Sequence, residues 1–569
     1  MKIRRTRLGI LKISLAFQTC SIAFGFGMLT LSPSNAAQYY TNWAAAHFSG
    51  NPALSGPLAD PDGDGEPNVV EFAFGTDPLA PGGIAGAVQP LNGGVSGSNT
   101  VFQVEILERE GHQPGVQIDL YLSKDMVNWF RPWWLRTMTN SLPADPPGSV
   151  RELFTTHLAG TNVWFVRPKV TLFEGGAENA TYYVATSGSD SNSGTSTNAP
   201  FATLGKAAGL AGAGNLVYVR GGTYSVSSKI SLTKFGSAAN PIRIRAYPGE
   251  TPVLDYSGEG TGSDAISISG KYYWLYGLVL TNAGHNSIVI SGSNNIVERC
   301  ISLGARNSGF HITGGNGGTA TPSSNLFLNC DSTRSFDSPG GGNADGFSAK
   351  WSLGPGNVFR GCRSWENSDD GWDLWMGTQP VLITNCWAFR NGSNVWNSGS
   401  FAGNGNGFKL GGSDVPAAHR LVNCVSFNNV GNSGNGIDQN NNTAGLTVDQ
   451  NVSWANRNKN FDMDHGANTT PHYVRNNISF AGGASDSFTS GTITNNNSWQ
   501  VLSSSVNPND FLSMDTTLAT APRRDDGGLP ETPFARPVPG GRLIDQGTNI
   551  GMPFYGPAPD LGAFETSVW

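Results

Sequence analysis

The stretch Ser-Asp-Asp-Gly-Trp-Asp-Leu-Trp, residues 368–375, puts three carboxylates into eight positions of a chain that is only 14% charged. Asp369, Asp370 and Asp373 either decorate a solvated turn or hold a cation. Asp345 precedes a Gly-aromatic pair in Asn-Ala-Asp-Gly-Phe (343–347), as Asp370 does, and Lys409 follows such a pair in Gly-Asn-Gly-Phe-Lys (405–409). Four carboxylates brought together suit calcium, a hard cation that takes six to eight oxygens at about 2.3–2.6 Å. Without compensation at such range they repel. A lysine beside them has two uses: it pairs with a neighbour such as Asp373 or Asp438, or, once neutral, it accepts a proton as a base.

These residues meet only if the chain stacks them. Eight segments align on an apolar anchor at Ile288, Phe310, Phe347, Trp372, Phe408, Ile437, Phe461 and Phe488. In a strand whose anchor points inward, the next residue points outward. That outward column reads Val289, His311, Ser348, Asp373, Lys409, Asp438, Asp462 and Thr489, with Asp345 and Asp370 each two places before its anchor. A second alignment runs through Cys300, Cys330, Cys362, Cys386, Cys424, Asn451, Asn477 and Asn496. An apolar residue stands three places before each member and a small one usually two places after. Loose repeats of short alternating strands imply a β-solenoid, coil stacked on coil at the strand spacing of about 4.8 Å.

Asn329, Asn385, Asn423, Asn476 and Asn495 fall just before the second column. Asparagine tolerates left-handed turns, and stacked amides bond to one another, so an asparagine ladder is expected there. The five cysteines of that column cannot pair completely. A buried stack of free thiols fits better than disulfides, and no histidine shares the spacing a zinc site would need.

The composition agrees with many short strands and tight turns: 75 glycines, abundant asparagine in the second half, and little charge. Residues 1–36 read as a signal peptide, with a basic start, an apolar run and small residues before a cleavage point near Ala36 or Ala37. An uncleaved anchor is the alternative. Removing its five cations takes the formal charge from -7 to -12. An acidic, secreted protein of this kind is not expected to bind nucleic acid, nor to touch a membrane once the signal is removed. We expect it to act as a monomer.

Residues 37–83 contain Asp-Pro-Asp-Gly-Asp-Gly-Glu-Pro-Asn-Val-Val-Glu (60–71), which matches the EF-hand loop template. Asp60, Asp62 and Asp64 would offer side-chain oxygens, Glu66 its carbonyl, and Glu71 a closing bidentate carboxylate. Pro67 departs from a paired EF-hand, so the loop resembles the single calcium loops of dockerin and thrombospondin type 3 repeats. Residues 84–175 alternate like a small β-sandwich module. Its Trp129, Trp133 and Trp134 are core residues or sugar-stacking ones.

Residues 176–569 resemble the family-nine polysaccharide lyases, which include pectate lyases. The resemblance rests on Asn-Ala-Asp-Gly-Phe (343–347), Ser-Asp-Asp-Gly-Trp-Asp-Leu-Trp (368–375) and Gly-Asn-Gly-Phe-Lys-Leu-Gly-Gly (405–412), and it does not cover 38–175. It implies an all-β catalytic domain, a right-handed parallel β-helix (solenoid). It also implies a catalytic calcium on Asp345, Asp369, Asp370 and Asp373, with Lys409 as Brønsted base. The expected reaction is calcium-dependent β-elimination on polygalacturonate (pectate) or another acidic polysaccharide such as rhamnogalacturonan. Lys350, Asp438, Arg457 and Lys459 are weaker candidates for substrate contacts. An inverting polygalacturonase would also use clustered aspartates, but its histidine motif and later basic triad are not evident. A carbohydrate-binding protein with calcium as a mere staple would show no turnover. Four carboxylates and one calcium leave about -2, so an anionic substrate is expected to recruit additional calcium that bridges it to the protein.

Overall fold

The computed structural model describes parts of residues 44–80, the strands between 88 and 172, and residues 180–565 apart from 466–469, 525–526, 553 and 555. The signal at 1–36, Asp64, Trp129, Trp133 and Trp134 lie outside these residues. A short helix, Asn68–Phe74, follows the acidic loop. Two antiparallel sheets come next. One joins Val88–Leu91, Asn99–Arg109, Ser149–Ala159 and Leu135–Thr139, with Val95–Ser96 paired to the long second strand; the other joins Val116–Ser123 and Phe165–Leu172. Val104, Ile106, Leu120 and Phe154 are buried in this region.

From Tyr182 onward the chain is a right-handed β-helix of three parallel sheets, with ten, ten and twelve strands. One coil shows the plan: strands Leu326–Leu328, Asp331–Thr333 and Phe347–Lys350 lie on successive faces. The bend between the first two faces needs a residue in left-handed conformation, and Asn329, Asn385, Asn423 and Asn476 take it with φ between 51° and 57°. Asparagine is among the few non-glycine residues that go there at low cost.

The cross-coil amide ladders run elsewhere, which corrects the sequence expectation. One is Asn295–Asn325–Asn357, a second Asn367–Asn391–Asn429–Asn456, and a third Asn451–Asn477–Asn497; each side-chain oxygen accepts from the backbone N–H of the preceding coil. All these asparagines are buried. An asparagine whose backbone forms the bend is not the one whose amide meets its equivalent in the next coil. The alignment also slips at its end, since Asn477 bonds to Asn497, not Asn496.

The cysteine column is a stack of five buried free thiols. Cys386 Sγ accepts from Cys362 N and Cys424 Sγ from Cys386 N, each at 3.4 Å, and Asn451 then continues the column. Burial pushes the Cys300 thiol up to about 12, which keeps it protonated. Inside the helix Phe310, Phe347, Trp372 and Phe408 stack ring on ring, with centroids 5.1, 4.8 and 4.8 Å apart.

A second apolar cluster sits outside the coils. Trp365, Phe389, Phe427, Trp454 and Phe480 form another stack, and the C-terminal segment covers it with Phe511, Phe534 and Leu543. Asp331 fastens that segment. Its carboxylate accepts paired bonds from Arg363 and from Arg523, at 2.6–3.1 Å, and Arg363 reaches on to the carbonyls of Ala519 and Ala521. Among the described residues no helix is long and apolar enough to cross a membrane.

Burial favours protonation of Asp331, but the two guanidiniums outweigh it and hold its carboxyl below the ordinary range. Asp331→Ala would leave two cations in a largely dry site, a change that typically costs about 3–5 kcal/mol. Because the folded carboxyl titrates below its unfolded value, its contribution is complete above about pH 4 and disappears as pH falls further. Urea unfolding of both proteins at pH 7 and pH 3 should show a large stability gap at the first pH and a smaller one at the second.

Candidate active site

The ten-stranded sheet that carries the outward column sets the geometry. In register, Val289, His311, Ser348, Asp373, Lys409, Asp438 and Asp462 are successive partners, as their spacing predicts. The last rung differs: Asp462 pairs with Ser487, so Thr489 lies two residues out of place. A shift of two leaves the outward face unchanged, which is why hydrophobic pattern alone did not detect it.

Glycine lets the rungs close. A Cβ on Gly371 would lie 2.5 Å from Gly407 O and 2.8 Å from Asn391 Nδ2. The Asp-Gly-aromatic motif is thus a packing solution: glycine passes the asparagine ladder, the aromatic ring fills the core, and the aspartate before them turns to the outer face.

Three carboxylates converge there. One oxygen each from Asp345, Asp370 and Asp373 lies within 4.8 Å of the others, and all three residues are buried. Asp345 Oδ2 accepts from Ser308 Oγ at 3.1 Å and Lys350 Nζ at 2.8 Å. Asp370 Oδ1 accepts from Asn406 N at 2.8 Å, and Asp373 Oδ1 from Trp375 N at 2.9 Å. Lys409 Nζ stands 3.1 Å from Asp370 Oδ2 and 3.5 Å from Asp373 Oδ2. Asp369, the fourth predicted ligand, is buried beside this group but outside it, and its Oδ1 accepts from Asn404 N at 2.6 Å.

The electrostatics follow from the packing. Burial pushes Asp345 up to about 7 against the pull of Lys350, and burial with the neighbouring carboxylates raises Asp369 and Asp370. Asp373 alone is lowered: burial acts upward, but Lys350 and Lys409 together overcome it. Burial would drive the Lys409 proton off, yet the surrounding aspartates hold its pKa well above the usual lysine range.

The oxygens fit a hard cation. Asp345 Oδ1 is buried and accepts no hydrogen bond, and buried Asp370 Oδ2 faces only the Lys409 ammonium, 3.1 Å away. Such atoms are costly unless something fills their coordination. Asp345, Asp370 and Asp373 together offer an all-oxygen donor set without sulfur or nitrogen, the preference of calcium over zinc.

The weaker candidates separate. Lys350 sits between Asp345 and Asp373, in the middle of the cluster. Asp438 and Lys459 belong to a second group one and two rungs beyond Lys409. There His465 Nε2 is 3.0 Å from Asp462 Oδ2 and 3.9 Å from Asp438 Oδ1, and Lys459 Nζ is 2.8 Å from Asp462 Oδ1. Arg457 is exposed and donates to Val430 O at 3.1 Å, away from the ladder's hydrogen bonds. Sequence reasoning missed Ser308, Asn406 and His465. Of these only His465 left a signal, three places after Asp462.

At the N-terminal loop Asp60 is exposed, Asp62 half-buried and Glu71 buried in the first turn of its helix. The loop is closed by Asn68 N donating to Ala59 O at 2.8 Å.

A family model described as "Pel9A-like, right handed beta helix region" matches residues 182–499. The chain belongs to polysaccharide lyase family nine. Pectate lyase L of Dickeya chrysanthemi is 40% identical over 403 residues, 68% of this chain and 90% of the relative. Pectate lyase PEL9 of Emericella nidulans is 33% identical over 63% of this chain and 93% of its own length. The crystal structure of pectate lyase Pel9A superposes with a TM-score of 0.61 at 38% identity, over 68% of this chain and 96% of that one. A rhamnogalacturonan lyase superposes with a TM-score of 0.56 at 27% identity, over 63% and 96%. This family-nine protein is an enzyme of the pectate lyase type.

Gly371→Ala tests how tightly the rung register positions the carboxylates. The added methyl must push Asn391 or the Gly407 peptide aside, and Asp370 and Asp373 move with the strand. A misplacement near 1 Å can cost about a hundredfold in rate. Turnover should fall by that order with the parallel-β circular dichroism signal retained; an unchanged rate would mean the rung tolerates the strain.

Proposed function

We propose that this enzyme cleaves polygalacturonate by calcium-dependent β-elimination, with Lys409 as the base. The observation that carries the reading is the convergence of Asp345, Asp370 and Asp373 beside Lys409 on adjacent rungs, with Asp345 Oδ1 buried and lacking a hydrogen bond. Asp369 is assigned to the same ion, next to Asp370 in sequence and sharing its charge environment. Calcium held there supplies positive charge for the substrate carboxylate as the C5 carbanion develops.

The chain's own residues do the rest. Asp345, Asp369, Asp370 and Asp373 would hold the ion, and Asn404 N and Asn406 N orient two of these carboxylates from the next coil. Lys409 faces the ion's position from the rung beyond. The surrounding aspartates keep its ammonium protonated; a cation on those carboxylates would offset their charge and lower the cost of the neutral amine. It then takes the C5 proton, the C–H electron pair becomes the C4=C5 double bond, and the C4–O glycosidic bond breaks. The leaving oxygen takes a proton from solvent. The products are a reducing end and an unsaturated uronate. A second calcium is assigned to the loop 60–71, through Asp60, Asp62, Asp64, Glu66 and Glu71, as a stiffener ahead of the β-sheet module. The enzyme acts as a secreted monomer.

Rhamnogalacturonan is the second substrate reading. The superposition on a rhamnogalacturonan lyase favours it, and the same acidic C5 proton is present wherever galacturonate is the reacting unit. An inverting hydrolase is disfavoured, because it needs only a carboxyl acid and a carboxylate base and would leave Lys409, set 3.1 Å from Asp370, without a role.

The test is ultraviolet absorbance with polygalacturonate, with calcium and then with excess chelator. A chelator-sensitive rise from the unsaturated uronate is expected. Lys409→Ala should abolish it while leaving calcium binding in place, and Asp370→Ala should weaken calcium binding. New reducing ends without the absorbance would mean hydrolysis, and near-normal turnover of Lys409→Ala would remove it as base.

A further inference from the structure

Lys350 closes the strand Phe347–Lys350, one rung before Asp373. Its side chain is 12% exposed, and its Nζ lies 2.8 Å from Asp345 Oδ2 and 2.7 Å from Asp373 Oδ2. Those carboxylates are two of the three that converge as cation ligands. The ammonium therefore occupies ground between ligands that a divalent ion would claim. Lys409 holds the other flank at longer range, 3.1 and 3.5 Å from Asp370 and Asp373.

An ammonium and a dication compete for these two carboxylates. Each Nζ–oxygen bond uses lone pairs and charge that ligation needs, and the two cations repel at such distances. Without any cation the three carboxylates, at most 3% exposed, would be an uncompensated buried charge. Lys350 meets that need from within the chain. Its long stem lets the head group leave without backbone movement. The side chain is not fully enclosed, so its head group has access to solvent.

We propose that Lys350 is a tethered counter-cation: it neutralises the carboxylate cluster before calcium arrives, is displaced when calcium binds, and then pairs with a carboxylate of the polysaccharide. This rests on the calcium reading above. It also supplies from the protein part of the positive charge that an anionic substrate demands.

The experiment uses the full-length enzyme and calcium as the probe. Calorimetric titration of the wild type, Lys350→Met and Asp370→Ala identifies the β-helix site as the component lost in Asp370→Ala. In Lys350→Met that component should tighten by about tenfold or more, the size of a typical coupling between two ligands. The calcium-free thermal midpoint should fall below that of the wild type and recover on adding calcium. At saturating calcium, KM for polygalacturonate should rise severalfold. Lys350→Arg keeps the charge and should not tighten binding, and Lys350→Gln replaces the methionine variant if that fails to fold. Calcium affinity unchanged or weakened in the neutral variants overturns the proposal. Tighter calcium with unchanged KM removes its substrate arm. A wild type with no Asp370-dependent component overturns the calcium reading itself, a result distinct from failure at Lys350.

Discussion

Parallel strands in register, one coil above another, are the constraint from which the rest follows. The repeat near 4.8 Å is the distance at which aromatic rings stack. Phe347, Trp372 and Phe408 therefore pile face to face inside the helix. The same register carries Ser348, Asp373 and Lys409 up the outside at the same spacing. A rung separation fixed by backbone hydrogen bonds and a full core leaves the outer side chains little freedom to spread. Like charges on adjacent rungs stay close, and their repulsion must be answered by ligands or counter-charges.

Much of this was legible in the sequence because a solenoid turns linear spacing into spatial contact. Once Phe347, Trp372 and Phe408 are read as one column, the meeting of Asp345, Asp370, Asp373 and Lys409 follows without a three-dimensional search. The cysteine stack was legible for the same reason. What failed was register at the C-terminal end and the location of the amide ladders. Asn476 and Asn477 are neighbours in sequence, but the first makes the bend and the second makes the ladder. Side-chain direction at a one-residue bend is not encoded by residue type. Lys350 was legible only as a charge near the site. Its place between two carboxylates depends on rotamers, which column alignment does not reach.

The C-terminal segment shows another limit. Val506, Phe511, Phe534 and Leu543 lie on the outer aromatic stack, and Asp331 and Arg523 meet across a sequence separation of 192 residues. No periodicity announces such a contact. The aromatic positions that follow the small-residue column were visible as a pattern, yet nothing in that pattern said what would cover them. Exposed stacked rings of that size need a cover, and the chain's own tail provides it.

The outward ladder carries two clusters of similar residues, and their hydrogen bonding separates them. Around Asp438 and Asp462 the donors are plentiful: Asn435 Nδ2 bridges both carboxylates at 3.1 and 3.0 Å, Asn440 N serves Asp438, and Lys459 and Ser487 serve Asp462. Such a network is complete within the protein and holds the rungs together. Around Asp345 and Asp370 the network is thinner: Asp345 Oδ1 stays buried without a hydrogen bond, and Asp370 Oδ2 has only the Lys409 ammonium at 3.1 Å. An incomplete network is tolerated where a ligand finishes it. By that argument the proposed ion would sit between Asp345, Asp370 and Asp373 rather than at Asp438, Asp462 and His465.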